Sequence, residues 1–114
     1  MEIKTEKYHI CYDRETATVS FSGSLRLSGP EEYQPITQLL GDVADTQTEK
    51  IILNLQQLEF LNSSGISMLS KFIIEMRKKP GVQMTVQGSK SVAWQGKSLK
   101  NLQRLMPALV VELV

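Results

Sequence analysis

The stretch that decides the fold runs from Lys50 to Lys79: KIILNLQQLEF (50–60), LNSSG (61–65), ISMLSKFIIEMRKK (66–79). Ile51-Ile52-Leu53-Asn54-Leu55 is an apolar run of strand length, and its near-continuous apolarity is that of a central, parallel strand. Beyond the turn, Ile66, Leu69, Ile73 and Met76 form one helical stripe. Met68 and Phe72, four residues apart, form a second stripe beside it. Arg77, Lys78 and Lys79 suit a helix C-terminus, and Pro80-Gly81 stops the helix. The turn Asn62-Ser63-Ser64-Gly65 therefore puts two adjacent hydroxyls where a helix begins. A helix N-terminus leaves backbone N–H groups unpaired and carries a partial positive charge. A cap from Ser63 or Ser64 fits there, and so does a phosphate esterified to either hydroxyl. A phosphate adds about −1.5 to −2 charges, which this helix end tolerates while the surface around it changes sign. The plainer reading is a turn and cap of the kind many proteins carry.

Working outward, Ile36, Leu39, Leu40 and Val43 follow the spacing of an amphipathic helix ending near Asp45. Ser28-Gly29-Pro30 precedes it, Glu31 and Glu32 favour its N-terminus, and Pro35 limits how early a regular helix begins. Upstream, Tyr8–Asp13 and Ala17–Ser22 read as an antiparallel hairpin joined by Asp13-Arg14-Glu15-Thr16. Gly23 either ends the second strand or bulges it, and Leu25 and Leu27 continue the alternation. Downstream, Val82–Gln87 alternates as a strand and Gly88-Ser89 is a turn. Trp94–Met106 is a third helix closed by Pro107, with Gly96 weakening its start by about 1 kcal/mol. Val110–Val114 is a last apolar strand. The order β-β-α-β-α-β-α-β implies right-handed crossovers and a mostly parallel mixed sheet with an N-terminal antiparallel hairpin.

The 114 residues suit one domain, 1–114, with no linker or repeat. Thirteen basic and twelve acidic residues give a net charge of +1, so no field of one sign draws the chain to nucleic acid or to an anionic membrane. The N-terminus lacks the apolar core of a signal peptide, and no apolar run reaches the roughly 20 residues a bilayer span needs. The single cysteine, Cys11, permits no internal disulfide and reads as a small buried residue. Together these features point to the cytoplasm.

Ile51 to Leu69, IILNLQQLEFLNSSGISML, resembles the signature of STAS domains, the family of bacterial anti-sigma-factor antagonists. There an apolar strand leads into Asp-Ser-Ser-Gly and then a helix that opens on an apolar residue. The element order and length match over roughly residues 8–114, and Gly23-Ser24-Leu25 is similar to the family's Gly-x-Leu. The small single-domain bacterial and cyanobacterial members are nearest in character. The resemblance implies a non-enzymatic binding module of a partner-switching pathway controlling transcription, acting as a monomer or weak dimer. Ser63 falls on the phosphoacceptor, with Ser64 the alternative acceptor and the neighbouring cap. A serine kinase that is also an anti-sigma factor would phosphorylate it, and a PP2C-type phosphatase would reverse the step. The partner surface would include Arg26, Asn62, Ser64 and Gly65. It would also include Met68 and Phe72 if exposed; the other reading of that pair is a wide buried face.

The chain departs from the family pattern in two places at this site. Asn62 replaces the usual Asp, which removes a charge beside the acceptor. It either alters recognition by the kinase or leaves the domain unphosphorylated. Arg26 stands where many relatives carry an acid after Gly-x-Leu, and Asn54 likewise replaces an acid in the strand. Two further readings therefore stand beside the switch: a constitutive scaffold or oligomerisation domain, and a small-ligand binder using the pocket beside the helix N-terminus.

The remaining chemistry-bearing residues point to no cofactor or metal. His9 and Cys11 share a strand face, but two ligands do not make a metal site. Ser63 has no Gly-x-Ser-x-Gly elbow and no base near in sequence. There is no Gly-rich phosphate loop. Trp94 reads as a half-buried anchor.

Overall fold

The computed structural model describes residues 1–46, 49–79 and 81–114. Strands β1 (Glu2–Lys4), β2 (Tyr8–Asp13) and β3 (Thr18–Leu25) come first. Helix α1 (Gly29–Ala44), strand β4 (Lys50–Leu61), helix α2 (Ser63–Arg77), strand β5 (Gln83–Gly88), helix α3 (Gln95–Leu105) and strand β6 (Val110–Leu113) follow. The strands form one six-stranded sheet in sequential order, β1-β2-β3-β4-β5-β6. β1–β2 and β2–β3 are antiparallel, whereas β3–β4, β4–β5 and β5–β6 are parallel. This is the mixed sheet expected, with one addition: the short edge strand β1, whose three residues carry too little periodicity to be read from sequence.

Sequential parallel strands with right-handed crossovers place every helix on the same face of the sheet. The burial pattern agrees. Val19 and Phe21 on β3, Ile51, Leu53 and Leu55 on β4, and Met84 and Val86 on β5 are sealed under the helices. The residues between them are half-buried or exposed. A single apolar cluster joins these side chains to Ile36, Leu39, Leu40 and Val43 of α1 and to Met68, Leu69, Ile73 and Met76 of α2. Cys11 is consequently not buried: its register partner is Ser20, on the uncovered face, and its exposure is intermediate.

Element limits differ from the sequence reading where tertiary contacts override local signals. α1 starts before Pro35 and runs through it. The ring lies on the exposed side, so the carbonyl that loses its N–H partner faces water. β4 is twelve residues long, because Gln56–Leu61 continues alongside the bulged end of β3. Gly23 is such a bulge, at φ +91°, and a Cβ there would lie 2.2 Å from the Lys7 carbonyl oxygen. α3 begins at Gln95 and not at Trp94. Pro80, assigned as part of the stop after α2, lies outside the described residues, while α2 reaches its C-cap at Lys78. Among the described residues no helix is long and apolar enough to cross a membrane.

Candidate functional site

The turn between β4 and α2 is built from the β3–β4 register. Leu25 pairs with Leu61, and the Asn62 backbone N–H donates to the Leu25 carbonyl at 3.2 Å. That pairing sets Asn62 at the end of the sheet with extended backbone, φ −79° and ψ 176°, as an N-cap requires. Its carboxamide oxygen accepts from the Gly65 N–H at 2.9 Å and from the Tyr33 hydroxyl at 2.7 Å. Its carboxamide NH₂ donates to the Leu27 carbonyl at 2.8 Å. One side chain thus ties together α1, α2 and the loop that leads from β3 into α1.

The cap of α2 is therefore Asn62, and Ser64 does not serve that role. Ser63 and Ser64 occupy the first two helical positions. Ser63 is exposed and Ser64 half-buried. Asn62 satisfies the Gly65 N–H, and its carbonyl accepts from Ile66 N–H at 3.0 Å. The N–H groups of Ser63 and Ser64 belong to the helix's first turn and have no acceptor within the helix. Among the described residues nothing bonds the Ser63 hydroxyl, which stands at the positive end of a fifteen-residue helix whose first turn holds no acid.

Gly65 lets this corner close. A Cβ there would meet Leu61 Cδ1 at 2.2 Å and the Tyr33 hydroxyl oxygen at 2.7 Å. Tyr33 is 1% exposed, and burial pushes its hydroxyl pKa above 10.0. Sequence reading missed Tyr33, although it extends the Ile36–Leu40–Val43 stripe one turn upstream. Treating Pro35 as a barrier hid it.

Arg26 lies one residue beyond the Leu25–Leu61 pair and is exposed, with its guanidinium 4.0 Å from the centre of the Phe60 ring. Its charge is thus held over Phe60, next to the C-terminal ends of β3 and β4. Met68 and Phe72 do not form an exposed face: they are 5% and 9% accessible. They line the floor of a cleft of about 740 Å³ between α1 and α2, with Pro30 and Ser64 at one end and Asp45 and Lys79 at the other.

Elsewhere, His9 and Glu2 make a close side-chain contact across the β1–β2 pair. Among the described residues no cluster of three or more His, Cys, Asp or Glu side chains is placed to hold a metal. Trp94 is an anchor, its indole N–H donating to the Leu58 carbonyl at 3.2 Å. Gln95, which the sequence did not single out, is fully buried and donates to the Leu55 and Leu58 carbonyls. Its side-chain oxygen accepts from the Ser89 N–H at 2.7 Å.

A sheet covered by helices on one face, whose fourth strand delivers a Ser-Ser pair to a helix N-terminus, defines a class of small α/β domain. The STAS domain family model matches residues 24–93, more than half of the chain, and the chain belongs to that family. Solved structures agree on the fold. An anti-sigma factor antagonist from Mycobacterium paratuberculosis superposes with a TM-score of 0.69 at 18% identity, over 95% of this chain and 90% of that one. SiaC of Pseudomonas aeruginosa gives 0.73 at 12% identity, over 100% and 98%. A chain in the crystal structure of the diguanylate cyclase SiaD with its activator SiaC, from the same organism, gives 0.73 at 11%, over 100% and 99%. No curated protein sequence matches the chain.

Proposed function

We propose that residues 1–114 act as one non-enzymatic STAS domain in the cytoplasm, a protein-binding module switched by phosphorylation of Ser63. The observation that carries this reading is the division of labour at the turn. Asn62 supplies the cap, so the Ser63 hydroxyl is exposed and has no structural task. A phosphate on it would meet the open N–H groups and positive end of α2. Unmodified, the turn presents a neutral-to-positive surface to a partner; modified, the same surface is anionic, and binding is lost without unfolding.

By family likeness the partner is a serine kinase that is also an anti-sigma factor, and a PP2C-type phosphatase resets the switch. The fold shared with SiaC, described as the activator of a diguanylate cyclase, supports a partner that is itself an enzyme. Ser64, half-buried and turned toward the α1–α2 cleft, is the weaker acceptor. The test is mass spectrometry of the protein isolated from its own cells, with and without phosphatase treatment. A phosphatase-sensitive phosphate on Ser63, absent in Ser63→Ala, is expected; none on either serine sinks the reading.

The neutral Asn62 favours a second reading, in which the domain binds its partner constitutively. Ser63→Asp then leaves partner binding unchanged, whereas the switch predicts a large loss.

A further inference from the structure

The cleft between α1 and α2 has a feature the regulatory reading does not use. Its floor is Leu40, Met68, Phe72 and Met76, and its α1 wall is interrupted by Gly41. Gly41 lies inside a regular helix, where glycine is less stable than alanine. A Cβ built on it meets nothing within 4 Å. No crowding requires the glycine; its effect is to keep the slot open. A volume of about 740 Å³ is of the size that holds a small ligand.

The lining says what kind of ligand. Two acids stand on the rim, and both are engaged: Asp45 with Lys79 at 3.6 Å and Glu75 with Lys78 at 3.5 Å. Lys71, midway along, has no acidic partner among the described residues. The hydroxyls of Ser64 and Ser67 line the same half of the cleft. One half thus offers a cation and hydroxyls, and the other half is apolar until the Asp45–Lys79 pair closes it. Leu40 is 0% and Met76 1% exposed, so both are packed closely under the cleft. From Ser67 to Met76 the helix rises about 14 Å, the room for an extended hydrocarbon chain.

We propose that this cleft binds a free fatty acid, one single-chain carboxylate per protein. The carboxylate sits at Lys71 with Ser67 or Ser64 donating to it, and the chain lies over Gly41 and against Met68, Phe72 and Met76. This proposal is independent of phosphorylation.

The test is calorimetric titration with dodecanoate below its micelle concentration, together with NMR of the methionine methyl groups. Saturable one-to-one binding is expected, with shifts at Met68 and Met76 and none at Met84 or Met106. Shortening the chain weakens binding about fourfold per methylene. Gly41→Leu fills the slot and weakens binding about tenfold or more. Lys71→Gln weakens dodecanoate about fivefold and leaves dodecanol unaffected. Three results would overturn the proposal: no saturable binding, shifts spread over all the methionines, or affinity for anionic phospholipid vesicles without affinity for the monomeric acid. Full affinity in a folded Gly41→Leu would do the same. The wild-type methyl shifts decide the matter even where that variant does not fold.

Discussion

Asn62 divides one carboxamide among three partners, and that sharing sets what each substitution does. Asn62→Ala removes the cap, strands the Leu27 carbonyl and leaves the buried Tyr33 hydroxyl without its acceptor. We expect a loss of about 2–4 kcal/mol in urea unfolding, more than a cap alone gives. Asn62→Asp, the family's usual residue, keeps both accepted bonds and adds a favourable charge at the helix N-terminus, but it loses the bond to Leu27. Its loss should be clearly smaller than that of the alanine variant. The Tyr33 hydroxyl adds a pH dependence. Its folded pKa is raised above 10.0, chiefly by burial, so its contribution is fully present below pH 10. The contribution is lost as pH rises through the folded value. Tyr33→Phe should therefore cost about 1 kcal/mol at neutral pH yet lose less stability than wild type on going further alkaline. Stability curves of the two proteins across that range check it. At this scale the sequence showed the serines and the glycine. It did not show that Asn62 and Tyr33, 29 residues apart, meet, because that contact exists only once β3 and β4 are in register.

At the scale of elements, β4 outruns β5. Its pairing with β5 ends at Asn54–Gln87, yet the strand continues to Leu61. Gln95 takes up part of the consequence by donating to the Leu55 and Leu58 carbonyls from inside the core. Gln95→Leu strands the Leu55 carbonyl and leaves the Ser89 N–H without its acceptor, while the Leu58 carbonyl keeps only the Trp94 indole as donor. We expect at least about 3 kcal/mol of destabilisation by chemical denaturation, with the exposed neighbour Lys97→Ala near zero as the control. Gly65→Ala tests the other end of the same strand. Alanine favours the helix by about 1 kcal/mol, but its Cβ collides with Leu61 and Tyr33, so a net loss of about 1–3 kcal/mol is expected. Helix and strand identity was legible because the periodicities of 36–43, 51–55 and 66–76 are long and clean. The boundaries were not. Pro35 reads as a breaker until its exposed position is known, and the length of β4 follows from its neighbour β3, not from its own residues.

For the whole molecule, sequential strands and same-handed crossovers leave one face of the sheet under three helices and the other uncovered. The resemblance to STAS domains gave the architecture, and the one-sided burial explains why Cys11 and Asn54 tolerate intermediate exposure. It also puts the Asn62–Gly65 corner at the end of the helical layer. There the helix N-terminus faces outward while the Asn62 side chain holds α1, α2 and the loop after β3 together underneath. The corner is thus rigid below and free above, the arrangement that lets a surface charge change without melting the fold. The most direct measurement is thermal unfolding of the protein carrying phosphoserine at position 63, beside the unmodified protein. The account predicts an unchanged Tm or a rise of about 1–5 °C, the size of a helix N-terminal charge effect. A fall of more than about 5 °C would contradict it, since the modification would then be breaking the corner and not merely relabelling its surface.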